Sequence, residues 1–284
     1  MNITIIVNCF NSEKYIAETA ISISAQSFAD FEVLFVDNKS TDNSYKIFKE
    51  YSNFRCKYTS TPYFMSLYDA RNFAITQIES PVICFLDADD LWSPFYLQDV
   101  WNFHKNNPNI FSCQSSVLSF GKGRSEKEIT KRFSRNSLIS PDIFSYSSFT
   151  ALSGLSVKKE FFSNYSFPAC KNFIGDLDLV LRLSTLNQLY FLHSPIFYHR
   201  IHPSALTSSN LSGWYSELND WLSSNKIDLP FRLEKKLSND LKYLSVRISL
   251  YKLSLIASLL MILKSGLSYN LKARILIRRL LNNN

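Results

Sequence analysis

Continuous apolar runs recur along the first part of the chain, and each ends in a polar break. Residues 3–7 (ITIIV) read as a strand, and residues 8–11 interrupt it. Ser12 can cap a helix running to about residue 27, with Ile16, Ala20 and Ile23 on one face. A second strand over 31–36 ends in Asp37. The loop 38–41 follows, and Asp42 can cap a helix to about residue 51. Residues 56–59 read as a short strand, 66–79 as a helix, and the run from Val82 (VICFL) as another strand. A helix from Pro94 to about residue 105 and a strand over 110–118 continue the alternation. Strand, helix, strand at this spacing builds βαβ units, so the pattern predicts an α/β fold with a mostly parallel, doubly wound sheet flanked by helices.

The later part is less regular. Strand-like segments fall at 152–157 and 189–199, with a helix over 177–186 between them. Residues 121–135 are polar and carry both charges, which reads most simply as a mobile loop, with an acceptor-contacting lid as the alternative. Residues 231–264 hold no Gly or Pro, and Leu233, Leu237, Leu241, Leu244, Ile248, Leu255 and Leu259 follow helical spacing, so one long helix is expected. The division predicted is residues 1–210 as one domain and 211–284 as a C-terminal helical extension.

Three carboxylates, Asp87, Asp89 and Asp90, crowd the C-terminal end of the run from Val82. Like charges this close raise one another's pKa or demand a cation. Hard oxygen donors suit Mg²⁺ or Mn²⁺, which take one or two carboxylates and complete their shell with phosphate oxygens. Ligands of open α/β sheets sit at this end of the strands. A solvated acidic turn is the simpler alternative, with Asp90 capping the helix that follows Ser93-Pro94.

Composition and charge narrow the classes. The chain has 284 residues, 46% hydrophobic and 15% aromatic, enough for a sizeable core. Its five cysteines are scattered without metal-ligand spacing, which points to reduced thiols in the cytoplasm. The opening residues show no signal-peptide pattern, and no apolar run reaches the length of a membrane span. The net charge of +7 is uneven: from Leu241 onward there are eight Lys or Arg and no Asp or Glu. The first 240 residues are near neutral, which argues against a nucleic-acid partner. The acid-free tail, with the apolar stretch LSLIASLLMIL inside it, suggests peripheral attachment to an anionic membrane surface; packing or dimerisation through that helix are the alternatives.

Six segments in order resemble an inverting nucleotide-sugar glycosyltransferase of the GT-A fold, the group that builds bacterial surface polysaccharides. ITIIVNCFN resembles the opening strand and nucleotide loop, including Asn11. FEVLFVDNKSTDNS resembles the second strand with its VDxxSTD signature. DARN matches the helix beside the nucleotide, LDADD the metal motif, GDLDLVLRL the base motif and YHRIHPSALTSS the closing R-x-H segment. The resemblance covers roughly the first 210 residues.

What the resemblance implies can be stated residue by residue. Asp37 would accept the imide N–H of uracil, Arg71 would reach the diphosphate or base, and Asp87 would hold the ribose or the metal's shell. Asp89 would bind Mn²⁺ or Mg²⁺ directly. Arg200 and His202 would hold the diphosphate and the metal as the closing segment folds over. Asp176 is the candidate general base, since inversion needs a carboxylate to take the acceptor hydroxyl's proton. Arg71 has the alternative of an ion pair with Asp69, and Asp178 that of binding Arg182. The sequence departs from the family at Gly175, where an acidic residue is usual, at Asn38, where a second Asp is common, and at Lys39, which replaces Gly. The implied donor is a nucleotide-sugar, with UDP first among the nucleotides, and the implied acceptor is a glycan or lipid-linked glycan. A catalytically degenerate sugar-nucleotide-binding scaffold is the alternative. A nucleotidyltransferase is a further one, disfavoured because no Gly-rich phosphate loop follows the first strand.

Overall fold

The computed structural model describes residues 1–121, 124–128, 136–145, 151–206, 210–224, 227–250, 261–268, 270–273 and 275. The chain divides into two compact units, Met1–His202 and Pro203–Asn284.

The first unit opens as the apolar pattern predicts. β1 (Ile3–Cys9), α1 (Ile16–Ser24), β2 (Phe31–Asp37), α2 (Ser44–Glu50), β3 (Cys56–Ser60), α3 (Leu67–Ile75) and β4 (Val82–Asp87) alternate in order. Then come β5 (Leu91–Trp92), α4 (Tyr96–Asn106), β6 (Ser112–Gly121), β7 (Arg124–Glu128), β8 (Ser137–Leu138), β9 (Leu155–Lys158), α5 (Gly175–Thr185) and β10 (Leu189–Arg200). The strands join one ten-stranded sheet, ordered β3-β2-β1-β4-β9-β6-β10-β5, with β7 on β6 and β8 on β10.

The half containing β3, β2, β1 and β4 is parallel throughout. The other half is mixed, because β9 runs antiparallel between β4 and β6. Parallel pairing continues in this half between β6 and β10, so the mostly parallel expectation holds, with β9 as the antiparallel insertion. Ile3, Ile5, Val7, Val33, Phe35, Cys84 and Leu86 are buried, with Ile16, Ala20 and Ile23 of α1 in the same core. Burial of each such side chain contributes about 1.5–3 kcal/mol, which is why these strands carry no solvent-facing alternation.

Two local expectations need correction. Residues 124–128 form β7, antiparallel to β6, so the polar segment is not simply a loop; residues 122–123 and 129–135 lie outside the described part. Ser12 does not cap α1 through its side chain. Its hydroxyl donates to the Phe10 carbonyl, and its own carbonyl accepts the N–H groups of Tyr15 and Ile16, making a turn before the helix.

The second unit contains α6 (Leu211–Ser224) packed on α7 (Phe231–Leu250). Val246 of α7 forms a small cluster with Ile262, Leu267 and Ile275. Residues 251–260, most of the apolar stretch of the expected long helix, lie outside the described residues, as does much of the basic tail. No helix among the described residues is long and apolar enough to cross a membrane.

Candidate active site

Strand register builds the site. Cys9 pairs with Asp37 and Asn8 with Asp87, so the polar residues that end β1, β2 and β4 line up along one edge of the sheet. The first wall is the loop pair after β1 and β2. Asn11 adopts a left-handed backbone (φ 49°), which Asn tolerates better than most residues. Its Oδ1 accepts the Thr41 N–H at 2.8 Å, and its own N–H donates to Ser40 Oγ at 3.1 Å. Asp37 accepts Ser40 N–H at 2.9 Å and the Tyr58 hydroxyl at 3.0 Å. Asp42 accepts from the N–H groups of Ser44 and Glu13, both at 3.0 Å, which ties the two loops together at the start of α2; the cap position itself is Asn43, not Asp42. Asn38 has a separate task. Its amide pairs both ways with the Met65 backbone at 2.9 Å, fixing the segment that leads into α3. Lys39 sits at φ 66°, a conformation that a glycine adopts without strain.

The acidic cluster splits into three different environments. Asp87 receives Arg71, Nη2 to Oδ1 at 2.6 Å. Asp89 faces His202, with Oδ2 and Nε2 2.8 Å apart. Asp90 is buried. It accepts the Arg200 N–H at 2.9 Å and the Ser153 hydroxyl at 2.8 Å, and His199 Nδ1 lies 3.4 Å away. Asp90 therefore does not cap α4; it anchors β10 to the acidic loop. Ser153 also accepts the Asp87 N–H at 3.0 Å, so one hydroxyl spans both ends of the motif. Burial first, then the neighbouring charges of Asp90 and Asp87, push the Asp89 carboxyl up to about 6.

Asp89 and His202 form a two-residue donor set, and no group of three or more His, Cys, Asp or Glu among the described residues is arranged to hold a metal. The pair fits an ion whose shell is completed by phosphate oxygens and water. Carboxylate and imidazole are both good donors to Mn²⁺.

The base candidate is joined to this cluster by one side chain. Arg71 is only 2% exposed, and its fork reaches both Asp87 and Asp176, the latter Nη1 to Oδ1 at 3.2 Å. Arg71 does not pair with Asp69, whose carboxylate instead accepts the Cys170 N–H. Asp176, in the first turn of α5, also accepts the Tyr68 hydroxyl. Burial raises its pKa, with Arg71 as the largest opposing influence. Asp178 is committed elsewhere: Arg182 grips both its oxygens at 2.8 and 3.1 Å, and Tyr165 donates to it at 3.0 Å. Asp176 is joined to the acidic cluster through Arg71.

Arg200 lies between the rings of Tyr15 and Phe120, 4.9 and 4.5 Å from their centroids. Its Nε donates to the Asp89 carbonyl at 2.8 Å and Nη2 pairs with Glu18 at 2.9 Å. Expected to hold a diphosphate, its guanidinium is bonded to the backbone of the acidic loop. Tyr15 also stacks near His202, 4.7 Å between centroids. The Ser/Thr residues 207–209 of the closing segment lie outside the described part.

The sequence model of glycosyl transferase family 2 matches residues 4–166, more than half of the chain. The chain belongs to this family. The minor teichoic acid biosynthesis protein GgaB of Bacillus subtilis is 27% identical over 265 residues, covering 88% of this chain and 29% of GgaB. The chain spans about a third of the length of the curated relatives it matches. The crystal structure of Staphylococcus aureus TarS 1-349 in complex with UDP-GlcNAc aligns with a TM-score of 0.68 at 20% identity, covering 99% of this chain and 80% of that one. The mannosyltransferase PcManGT of Pyrobaculum calidifontis, in complex with GDP-Man and Mn²⁺, aligns with a TM-score of 0.63 at 14% identity, covering 100% and 81%. These likenesses establish the GT-A fold.

As a family 2 member the chain has partners at its site that sequence reading did not find. Tyr68, Tyr58, Ser153 and Glu18 lie far in sequence from the residues they bond. Glu18 carries the one available signal, since an acid on α1 near the loop end can meet an arginine; nothing local marks the other three.

Proposed function

We propose that the chain transfers a sugar from a nucleotide-sugar to a glycan or lipid-linked glycan acceptor, with inversion, in the making of a bacterial surface polymer. The observation that carries this reading is the Arg71 fork, which bonds Asp87 and Asp176 together. It sets a candidate base one guanidinium away from the acid that would face the donor. Family membership supports sugar transfer as the reaction class. The relatives' names, teichoic acid biosynthesis and a UDP-GlcNAc complex, support a surface-polymer acceptor and a UDP-sugar donor.

In this reading the work lies within residues 1–210. Asp37 and Asn11 shape the base and ribose end, with Tyr58 yielding its bond to Asp37 when the nucleotide arrives. Asp176 takes the proton from the acceptor hydroxyl. That oxygen bonds to the anomeric carbon from the face opposite the diphosphate, and the bond from that carbon to the phosphate oxygen breaks. The nucleoside diphosphate leaves with the electron pair. Asp89 and His202 would hold Mn²⁺ or Mg²⁺, which offsets charge growing on the leaving diphosphate. Arg200 keeps Asp89 in place through its backbone carbonyl.

The test is nucleoside diphosphate release from a panel of UDP-, dTDP- and GDP-sugars, with water as the default acceptor, with Mn²⁺ or EDTA. Turnover of one donor, lost with EDTA and in Asp89→Ala, is the expected result. A panel in which no donor is turned over would contradict the proposal.

A further inference from the structure

Asp176 is held by a residue that no motif marks. Tyr68, on α3, is 2% exposed and lies 108 positions away in sequence. Its hydroxyl makes two bonds to the same residue. It donates to Asp176 Oδ1 and accepts the Asp176 N–H at 3.0 Å. That N–H is one of the orphan donors of the first turn of α5, which has no side-chain cap of its own. One phenol therefore fixes both the backbone and the carboxylate of Asp176.

Gly175 completes the arrangement. A Cβ at this position would fall 2.5 Å from Cδ1 and Cε1 of Tyr68 and 2.7 Å from Cγ. Real side chains do not approach this closely, so the Tyr68 ring occupies the space of a residue-175 side chain. The ring is held in turn by Phe167, centroids 5.2 Å apart, and by Arg71, whose guanidinium lies 5.1 Å over it. Burial, and then the Asp176 charge, keep the phenol neutral, so it acts as a donor and not as an acid.

We infer that Tyr68 is the positioning residue for the base, and that Gly175 is its steric complement. The inference rests on the transfer reading given above. Tyr68 and Arg71 both bond Oδ1, and the Leu152 backbone is a further hydrogen-bond partner of the carboxylate, so its orientation is fixed. A carboxylate free to rotate would face the acceptor hydroxyl in the right orientation only part of the time. Tyr68 thus acts on the proton-transfer step and not on donor binding.

The experiment compares wild type, Tyr68→Phe, Tyr68→Leu and Gly175→Ala with the donor that the wild type turns over, reading kcat and donor KM separately. Thermal melting and nucleotide binding report folding. Tyr68→Phe keeps the ring and removes only the hydroxyl. It should lower kcat about 10- to 100-fold, the range for a lost hydrogen bond to a charged group, with donor KM within about threefold of wild type. Tyr68→Leu should lose no less kcat and also melt earlier. Gly175→Ala should lower kcat, and the loss should largely vanish when measured against Tyr68→Leu as background, where the ring that meets the added Cβ is gone. A wild type that turns over its donor beside a Tyr68→Phe chain of equal kcat overturns this inference alone. A donor KM that rises while kcat stays unchanged overturns it equally. A wild type that turns over no donor overturns the transfer reading and this inference with it.

Discussion

Arg71 is a cation with almost no access to water, and such a group is tolerated only where its charge is answered. Asp87 and Asp176 answer it, and they push its pKa up against the opposing effect of burial. The planar fork matters as much as the charge, because two nitrogens of one guanidinium meet two carboxylates on different elements. A lysine offers a point charge and cannot span both. Arg71→Lys should therefore fold with a stability loss of about 1–3 kcal/mol and lose at least ~10-fold in kcat. Chemical denaturation and steady-state kinetics check the two effects; an unchanged kcat would show that the bridge has no catalytic consequence. The sequence placed Arg71 near the site, because DARN is a recognisable string, but could not say what it touches. Its two partners lie 16 and 105 residues away. The choice between Asp176 and Asp178 was half legible. Arg182 stands at i+4 from Asp178, the spacing at which helical side chains meet, and the structure has that pair.

At the level of elements, the strands that were easiest to read are those buried on both faces, since a continuous apolar run has no other stable placement. β7 was invisible for the opposite reason: Arg124, Glu126, Lys127 and Glu128 carry no apolar pattern, and among the described residues it pairs with β6 alone. The packing of α4 against the sheet contains a pH-sensitive contact. His104 is 5% exposed, with Nε2 2.9 Å from Ser156 Oγ, which in turn lies 3.0 Å from the Cys113 sulfur. Burial, helped by the Lys158 charge, pushes the imidazole down to about 3 from its ordinary 6.5. The unfolded chain then takes up a proton that the folded chain refuses, so this residue's contribution is intact above pH 6.5 and is lost as pH falls toward 3. The slope approaches ~1.4 kcal/mol per pH unit inside that window. Asp89, raised to about 6, works in the opposite direction over part of the same range, so the test is a comparison between chains. His104→Gln should flatten the acid side of the stability profile relative to wild type; parallel profiles would contradict the assignment.

For the whole molecule, the first unit gathers all of the proposed machinery, from Asn11 to His202, at one edge of one sheet. The order of the segments along the chain made that gathering legible, since βαβ units put successive strand ends on the same side. What it left open was how the edge is wired. Asp87, Arg71, Tyr68 and Asp176 form one set and Asp89, His202 and Arg200 another, with Ser153 and Asp90 linking the two. In the proposed reaction the first set would take the proton from the acceptor and the second would hold the diphosphate end. The central claim is that Asp176 is the base. It is tested most directly by the rate of nucleoside diphosphate release in Asp176→Asn beside wild type, at saturating donor. Asparagine keeps the shape and cannot take the proton, so the rate should fall by about 10²- to 10⁴-fold with donor affinity preserved. An Asp176→Asn chain that turns over at the wild-type rate would contradict the account.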